Sequence, residues 1–176
     1  RTSLIYGTKK LLPFFESIFK AGTPILMWSP MNLWLVADNY PPVLSNSIKN
    51  VWNTTFGITG EEYPWQPLLW DVTNRKEIPF GLQGTGDSKI TNGISFMVNE
   101  ESNEHKSIWI DCIKVLDSSI AQPILHFNSD VLQEPLNIAA VKIQSSTGTR
   151  AIYQGFPTEC AGSGASGLAI RQTLLS

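Results

Sequence analysis

The chain has 176 residues and a mass of 19.5 kDa, the size of one domain with or without a tail. Hydrophobic residues make up 42% and charged residues 16%, against roughly 25% charged in typical domains, and the net charge is −2. This balance excludes a disordered chain, a disulfide scaffold, since only two cysteines are present, and a nucleic-acid binder that works through overall positive charge.

The first predicted element is a helix. Pro13 suits the first helical position, where its missing N–H is not needed. Phe14, Phe15, Ile18 and Phe19 form one apolar stripe behind it, and Gly22 is placed to stop the helix at its C′ position. The stripe reads as a cover for a sheet, because no basic face accompanies it to favour lipid. Beyond Gly22 the helical period disappears. Runs rich in β-branched and aromatic residues predict strands near 25–28, 32–37, 68–72, 78–82, 90–98, 107–116, 124–127, 138–143 and 150–155.

A longer connection and a glycine-rich turn stand among them. Residues 40–67 carry four prolines with Trp52, Phe56, Tyr63 and Trp65. Residues 81–89 are glycine-rich, but they lie between strand-like runs with no helix start to hold an anion, so Gly84, Gly86 and Asp87 read as a turn. The best hairpin candidate joins 90–98 to 107–116 through a solvated loop holding Glu100, Glu101 and Glu104. The run 107–116 is apolar on both faces, as a central strand would be. Short strands without strand–helix alternation predict an all-β fold, an antiparallel β-sandwich or jelly roll with one short N-terminal helix. Residues 1–160 are expected to form a single β-sandwich domain, and 161–176 a flexible Gly/Ser-rich C-terminal segment.

No apolar run is long enough for a transmembrane span, and residues 1–20 lack the pattern of a signal peptide. Arg1 in place of Met reads as a processed or trimmed chain. Cys112 and Cys160 are expected to be unpaired, mostly buried thiols. Asn53-Thr54-Thr55 is a glycosylation sequon.

Catalytic signals are weak. His105 and His126 belong to no metal-ligand spacing, and His126, between Leu125 and Phe127, reads as a structural histidine. A nucleophile could be drawn from Cys112, Cys160, Ser163 or Ser166, but no nucleophile-elbow motif supports it. Glu61-Glu62 and Glu100-Glu101 are adjacent pairs that point to opposite faces in extended chain, so neither forms a glycosidase dyad. No catalytic residue, metal or cofactor is assigned. The aromatics are more informative, with six tryptophans in the chain. Trp52, Tyr63, Trp65 and Trp70 are the candidate binding residues, as a ligand platform or a subunit interface; packing of an irregular loop is the competing explanation.

Tyr6-Gly7-Thr8-Lys9-Lys10-Leu11-Leu12, followed by the aromatic helix, resembles a segment of capsid proteins of picorna-like insect RNA viruses. The likeness covers fewer than fifteen residues, and Pro13 and Phe14 stand where that family carries basic residues. It implies a jelly-roll coat subunit or a protruding domain that assembles on an icosahedral shell without enzyme activity. The leading expectation is therefore a structural assembly protein, a virus capsid or spike domain located in the virion. It would form homo- or hetero-oligomers with other coat subunits, and it could meet a glycan or receptor. The second is a carbohydrate-binding β-sandwich module of a secreted, extracellular protein, and the third a small hydrolase with His126 as base.

Overall fold

The computed structural model describes residues 17–18, 21–28, 33, 49–60, 70–71, 76–77, 81–97, 111–128, 137–144, 146, 148 and 150–156. Ser17 and Ile18 are helical, and the helix ends as its sequence requires. The Ala21 N–H donates to the Ser17 carbonyl at 3.0 Å and the Thr23 N–H to the Ile18 carbonyl at 3.3 Å. Between them Gly22 turns to φ +67°, a left-handed conformation that costs glycine little.

Ten strands follow: β1 (Ile25–Trp28), β2 (Ile58–Gly60), β3 (Trp70–Asp71), β4 (Lys76–Glu77), β5 (Gly81–Gly84), β6 (Ser95–Met97), β7 (Ile113–Val115), β8 (Ala121–Asn128), β9 (Ile138–Gln144) and β10 (Arg150–Gln154). Six of them build the main sheet in the order β1-β10-β9-β8-β5-β6. β2 pairs with β7, and β3 with β4, in two small antiparallel sheets. The all-β expectation holds at this level. Its antiparallel part needs correction, because β1 runs parallel to β10 and the main sheet is mixed.

Three further expectations change. The predicted hairpin between 90–98 and 107–116 does not form among the described residues. β6 pairs with β5, while β7 pairs with β2 in a different sheet. Ile90 lies in a turn rather than a strand, and Leu33 is helical where a strand was expected over 32–37. In the hairpin, local β propensity yields to tertiary pairing. The loop 99–106 and the segment 161–176 lie outside the described residues.

Cross-strand partners share a face of the sheet, and the registers sort the main sheet into two faces. The first carries Leu82, Phe127, Leu125, Ala140, Lys142, Gln122 and Ile152. The second carries Ala121, Val141, Ile143, Ala151 and Tyr153, with Ile25 and Met27 from β1. Each face has its own core. Leu82, Leu125, Phe127 and Ala140 pack with Phe156 on the first. Val141, Ile143, Ala151 and Tyr153 pack with Leu33, Phe56, Ile58 and Ile113 on the second. Burying each large side chain contributes about 1.5–3 kcal/mol.

Two bulges divide the cores. Between the pairs Pro123–Val141 and Leu125–Ala140, β8 carries one extra residue, Ile124. Between Leu125–Ala140 and His126–Ile138, β9 carries Ala139. The Ile124 carbonyl, freed from the ladder, accepts the Thr85 N–H at 3.1 Å and the Thr91 hydroxyl. Both donors come from the connection between β5 and β6, which is the turn expected around Gly84, Gly86 and Asp87. Gly84 lets that connection close: a Cβ there would sit 1.7 Å from the Thr91 carbonyl oxygen.

A buried polar knot anchors the second core. Asp111 Oδ2 accepts the Tyr153 hydroxyl at 2.6 Å and the Leu33 N–H at 3.2 Å. The Asp111 N–H donates to the Gly155 carbonyl at 2.7 Å. Burial, then the charge of Asp111, then its hydrogen bond hold the Tyr153 phenol well above its usual value.

Two outcomes test this account. Gly84→Ala should cost at least about 2 kcal/mol, because the clash is with backbone, whereas Gly86→Ala, with nothing within 4 Å, should stay within about 0.5 kcal/mol. Equal denaturation midpoints for the two variants would remove the close approach as a constraint. Tyr153→Phe should lose about 1–3 kcal/mol at pH 7 by leaving Asp111 short of a donor. The raised phenol contributes its full stabilisation below the unfolded tyrosine value, about 10, and loses it as pH rises towards the folded value. The gap between wild type and Tyr153→Phe in urea midpoints should therefore narrow above about pH 10; a constant gap would contradict the coupling.

Candidate functional site

Beyond the first-face core and Ile152, which packs against it, that face has no further apolar cover among the described residues. β8, β9, β10 and β1 supply this part of the face. Gln122 stands opposite Lys142, Lys142 opposite Ile152, and Ile152 opposite Leu26. One row thus runs from a polar amide through a cation to two aliphatic side chains. A second row pairs Gln144 with Arg150. Alternation along β9 explains the placement: Val141 and Ile143 are buried on the second face, while Lys142 and Gln144 turn to the first.

The corner from β7 to β8 closes the polar end. The Gly57 carbonyl accepts the N–H groups of Leu116, at 2.8 Å, and Asp117, at 3.2 Å. Gly57 has φ +67°, and a Cβ there would press on Ile120 and the Asp117 carbonyl at 3.1–3.3 Å. Asp117 Oδ1 accepts the Ser119 hydroxyl at 2.6 Å and the Ser119 N–H at 2.8 Å, a side-chain-stabilised turn. The Ser119 hydroxyl first, and its N–H second, hold the Asp117 carboxyl below its usual value against a small opposing effect of burial. The Gln144 N–H donates to the Ile120 carbonyl at 2.8 Å, tying this corner to β9.

Together these residues line a pocket of about 600 Å³ bounded by Asp117, Ser119, Gln122, Lys142, Gln144 and Ser146. A second pocket of about 370 Å³ shares Lys142 and Gln144 and continues over Leu26, Ile152 and Arg150. The combined surface offers amide and hydroxyl groups, two cations and one carboxylate beside an aliphatic strip. Such a surface can form directional hydrogen bonds to a polar ligand and pack against its apolar side.

The sequence-based candidates fall elsewhere. Trp52 lies on a π-helical turn, Val51–Thr55, where the Phe56 N–H donates to the Val51 carbonyl at 3.1 Å. Its half-buried ring meets Phe56 at 5.1 Å and Tyr153 at 5.2 Å between centroids, on the second face. Trp70 stands on β3 opposite Glu77. Tyr63 and Trp65 lie outside the described residues, so no aromatic platform is assembled among the described ones. Asn53 of the sequon is half-buried, and its Oδ1 is buried with no hydrogen-bond partner among the described residues.

His126 is on β8 beside Gln83 and Ile138 on the second face. Its Nε2 is buried without a hydrogen-bond partner among the described residues. Cys112 packs against the first-face core, so these two do not meet on one face; Cys160, Ser163, Ser166 and His105 lie outside the described residues. Among the described residues no three His, Cys, Asp or Glu side chains gather as metal ligands, and no helix is long and apolar enough to cross a membrane.

The polar pocket escaped the sequence reading, although signals for it exist. Asp117-Ser118-Ser119 is a turn-forming triplet after a strand, and Val-Lys-Ile-Gln over 141–144 alternates with a period of two. What sequence does not show is that the two converge.

No protein-family model and no curated protein matches the chain. Among solved structures, a β-galactosidase from Rahnella sp. R3 aligns with a TM-score of 0.50 at 12% identity, over 91% of this chain and 19% of that one. The carbohydrate deacetylase Agd3 aligns with a TM-score of 0.46 at 13% identity, over 85% of this chain and 18% of its own. The chain therefore spans under a fifth of the length of either structure, and at such identity the likeness to the β-galactosidase is one of fold alone.

Proposed function

We propose that the chain is a non-catalytic carbohydrate-binding module of β-sandwich type, with the β2–β7 sheet as the second layer over the Tyr153 core. The observation that carries this reading is the polar pocket on the first face, continued by its aliphatic strip. Gln122 and Gln144 each offer an N–H donor and a carbonyl acceptor from neighbouring strands, the pattern that pairs with vicinal sugar hydroxyls. Leu26 and Ile152 give the C–H face of a pyranose ring an apolar seat. Strands hold these groups in place before binding, which lowers the ordering cost. A β-galactosidase among the fold's neighbours agrees with this reading.

A second reading, assembly into a coat or larger oligomer, is favoured by one observation. β1 and β6 are the outer strands of the main sheet among the described residues, and free strand edges can pair with another chain.

A glycan array with wild type and with Gln122→Ala and Gln144→Ala tests the first reading. Binding should occur and should weaken about 10-fold in either variant, as expected when a hydrogen bond worth about 1.4 kcal/mol is lost. Absence of binding, or binding indifferent to both changes, would exclude it. Sedimentation of the same sample separates the second reading, which requires concentration-dependent association.

A further inference from the structure

We infer that the pocket selects an acidic saccharide, with Lys142 and Arg150 receiving its carboxylate or sulfate; the inference rests on the carbohydrate-binding reading. Arg150 lies opposite Gln144, and Lys142 opposite Ile152. The two cations are therefore diagonal neighbours on one face, about 7–8 Å apart at their backbones. Both line the smaller pocket, and Lys142 lines the larger one as well. Neither is matched to a carboxylate among the described residues. Asp117 shares the larger pocket as a charged carboxylate, its Oδ1 held by the Ser119 hydroxyl and N–H, so the anion's seat is set towards the smaller pocket, which Asp117 does not line. Lys142 is half-buried and Arg150 exposed, as long cationic side chains are when the stem lies along the sheet and the head reaches outward.

The two pockets meet at Lys142 and Gln144, and that junction is the seat for the anion. A carboxylate there would lie between two cations, with an amide N–H at its side, as charge-assisted hydrogen bonding requires. The sugar ring would extend from it, with hydroxyls towards Gln122 and Ser119 or with its apolar side over Ile152 and Leu26. A neutral sugar would use the same amides and the same strip but would leave both cations unanswered.

The test compares oligogalacturonate, oligomannuronate and oligoglucuronate with their methyl esters, which keep the ring and mask the charge. A sulfated galactan is included beside its unsulfated form. Titration calorimetry would be run on wild type, Lys142→Gln and Arg150→Gln, with circular dichroism to establish that the variants are folded. At least one acidic ligand should bind wild type about 10-fold more tightly than its neutral counterpart, and the preference should shrink in either variant and with added salt. Preference for the sulfated galactan alone identifies the anion as a sulfate in the same seat. Equal affinity for acid and ester, or a preference untouched by both substitutions, overturns the inference and leaves the carbohydrate-binding reading standing. Failure to bind any saccharide on the array removes both.

Discussion

The carboxylate of Asp111 is the contact on which the rest of the structure leans. It is 1% exposed, and a charge so placed is costly unless hydrogen bonds replace water. Its partners come from two distant parts of the chain: the Leu33 N–H from one, and the Tyr153 hydroxyl and, through the Asp111 N–H, the Gly155 carbonyl from the other. The approach to Gly155 is so close that a Cβ there would lie 2.4 Å from the Asp111 carbonyl oxygen, so glycine is a steric requirement of the knot. Tyr153 is in turn the ring against which Trp52 sets its edge, and Leu33 closes the same core. One buried acid thus fixes how β10 stands against the layer that covers it.

The position of β10 carries through to the open pocket. β10 pairs with β9 along its full length and with β1 on the other side. When Tyr153 and Ala151 are drawn into the second-face core, period two turns Ile152 and Arg150 to the first face. The bulges at Ile124 and Ala139 then decide where that face changes character. On one side of them it is apolar, with Leu82, Phe127 and Phe156; on the other it presents Gln122, Lys142 and Gln144. The bulges cost ladder hydrogen bonds, which Thr85 and Thr91 restore at the Ile124 carbonyl. Such irregularities commonly re-aim side chains beside functional sites.

Much of the strand layout was legible in the sequence, for a physical reason. β1, β8, β9 and β10 are runs of β-branched and aliphatic residues between turn signals, and they are the buried centre and one edge of the main sheet. Gly22 announced the end of the helix through the left-handed conformation that glycine adopts at little cost. Pairing was less legible, because a strand such as 113–115 carries no mark of its partner; β7 joins β2, a three-residue strand hidden in a Pro-rich connection. The aromatics drew attention as a platform, yet Trp52 serves the second-face packing. The groups that do converge, Asp117, Gln122, Lys142 and Gln144, are ordinary polar residues, and only the registers bring them together.

The low charge fraction bears on this pocket in a way composition alone does not reveal. A chain with so few charges gains solubility from each one it shows, and a cation serves that purpose equally well on any loop. Lys142 and Arg150 are instead on paired strands, side by side on one face, and without an opposing carboxylate among the described residues. That placement adds little to folding, since two cations set diagonally on paired strands offer each other no attraction. It does lower the cost of ordering a binding site, because the strands already fix the backbone from which both cations extend. A pair of charges that the fold tolerates rather than needs is the feature that the proposed acidic ligand would use.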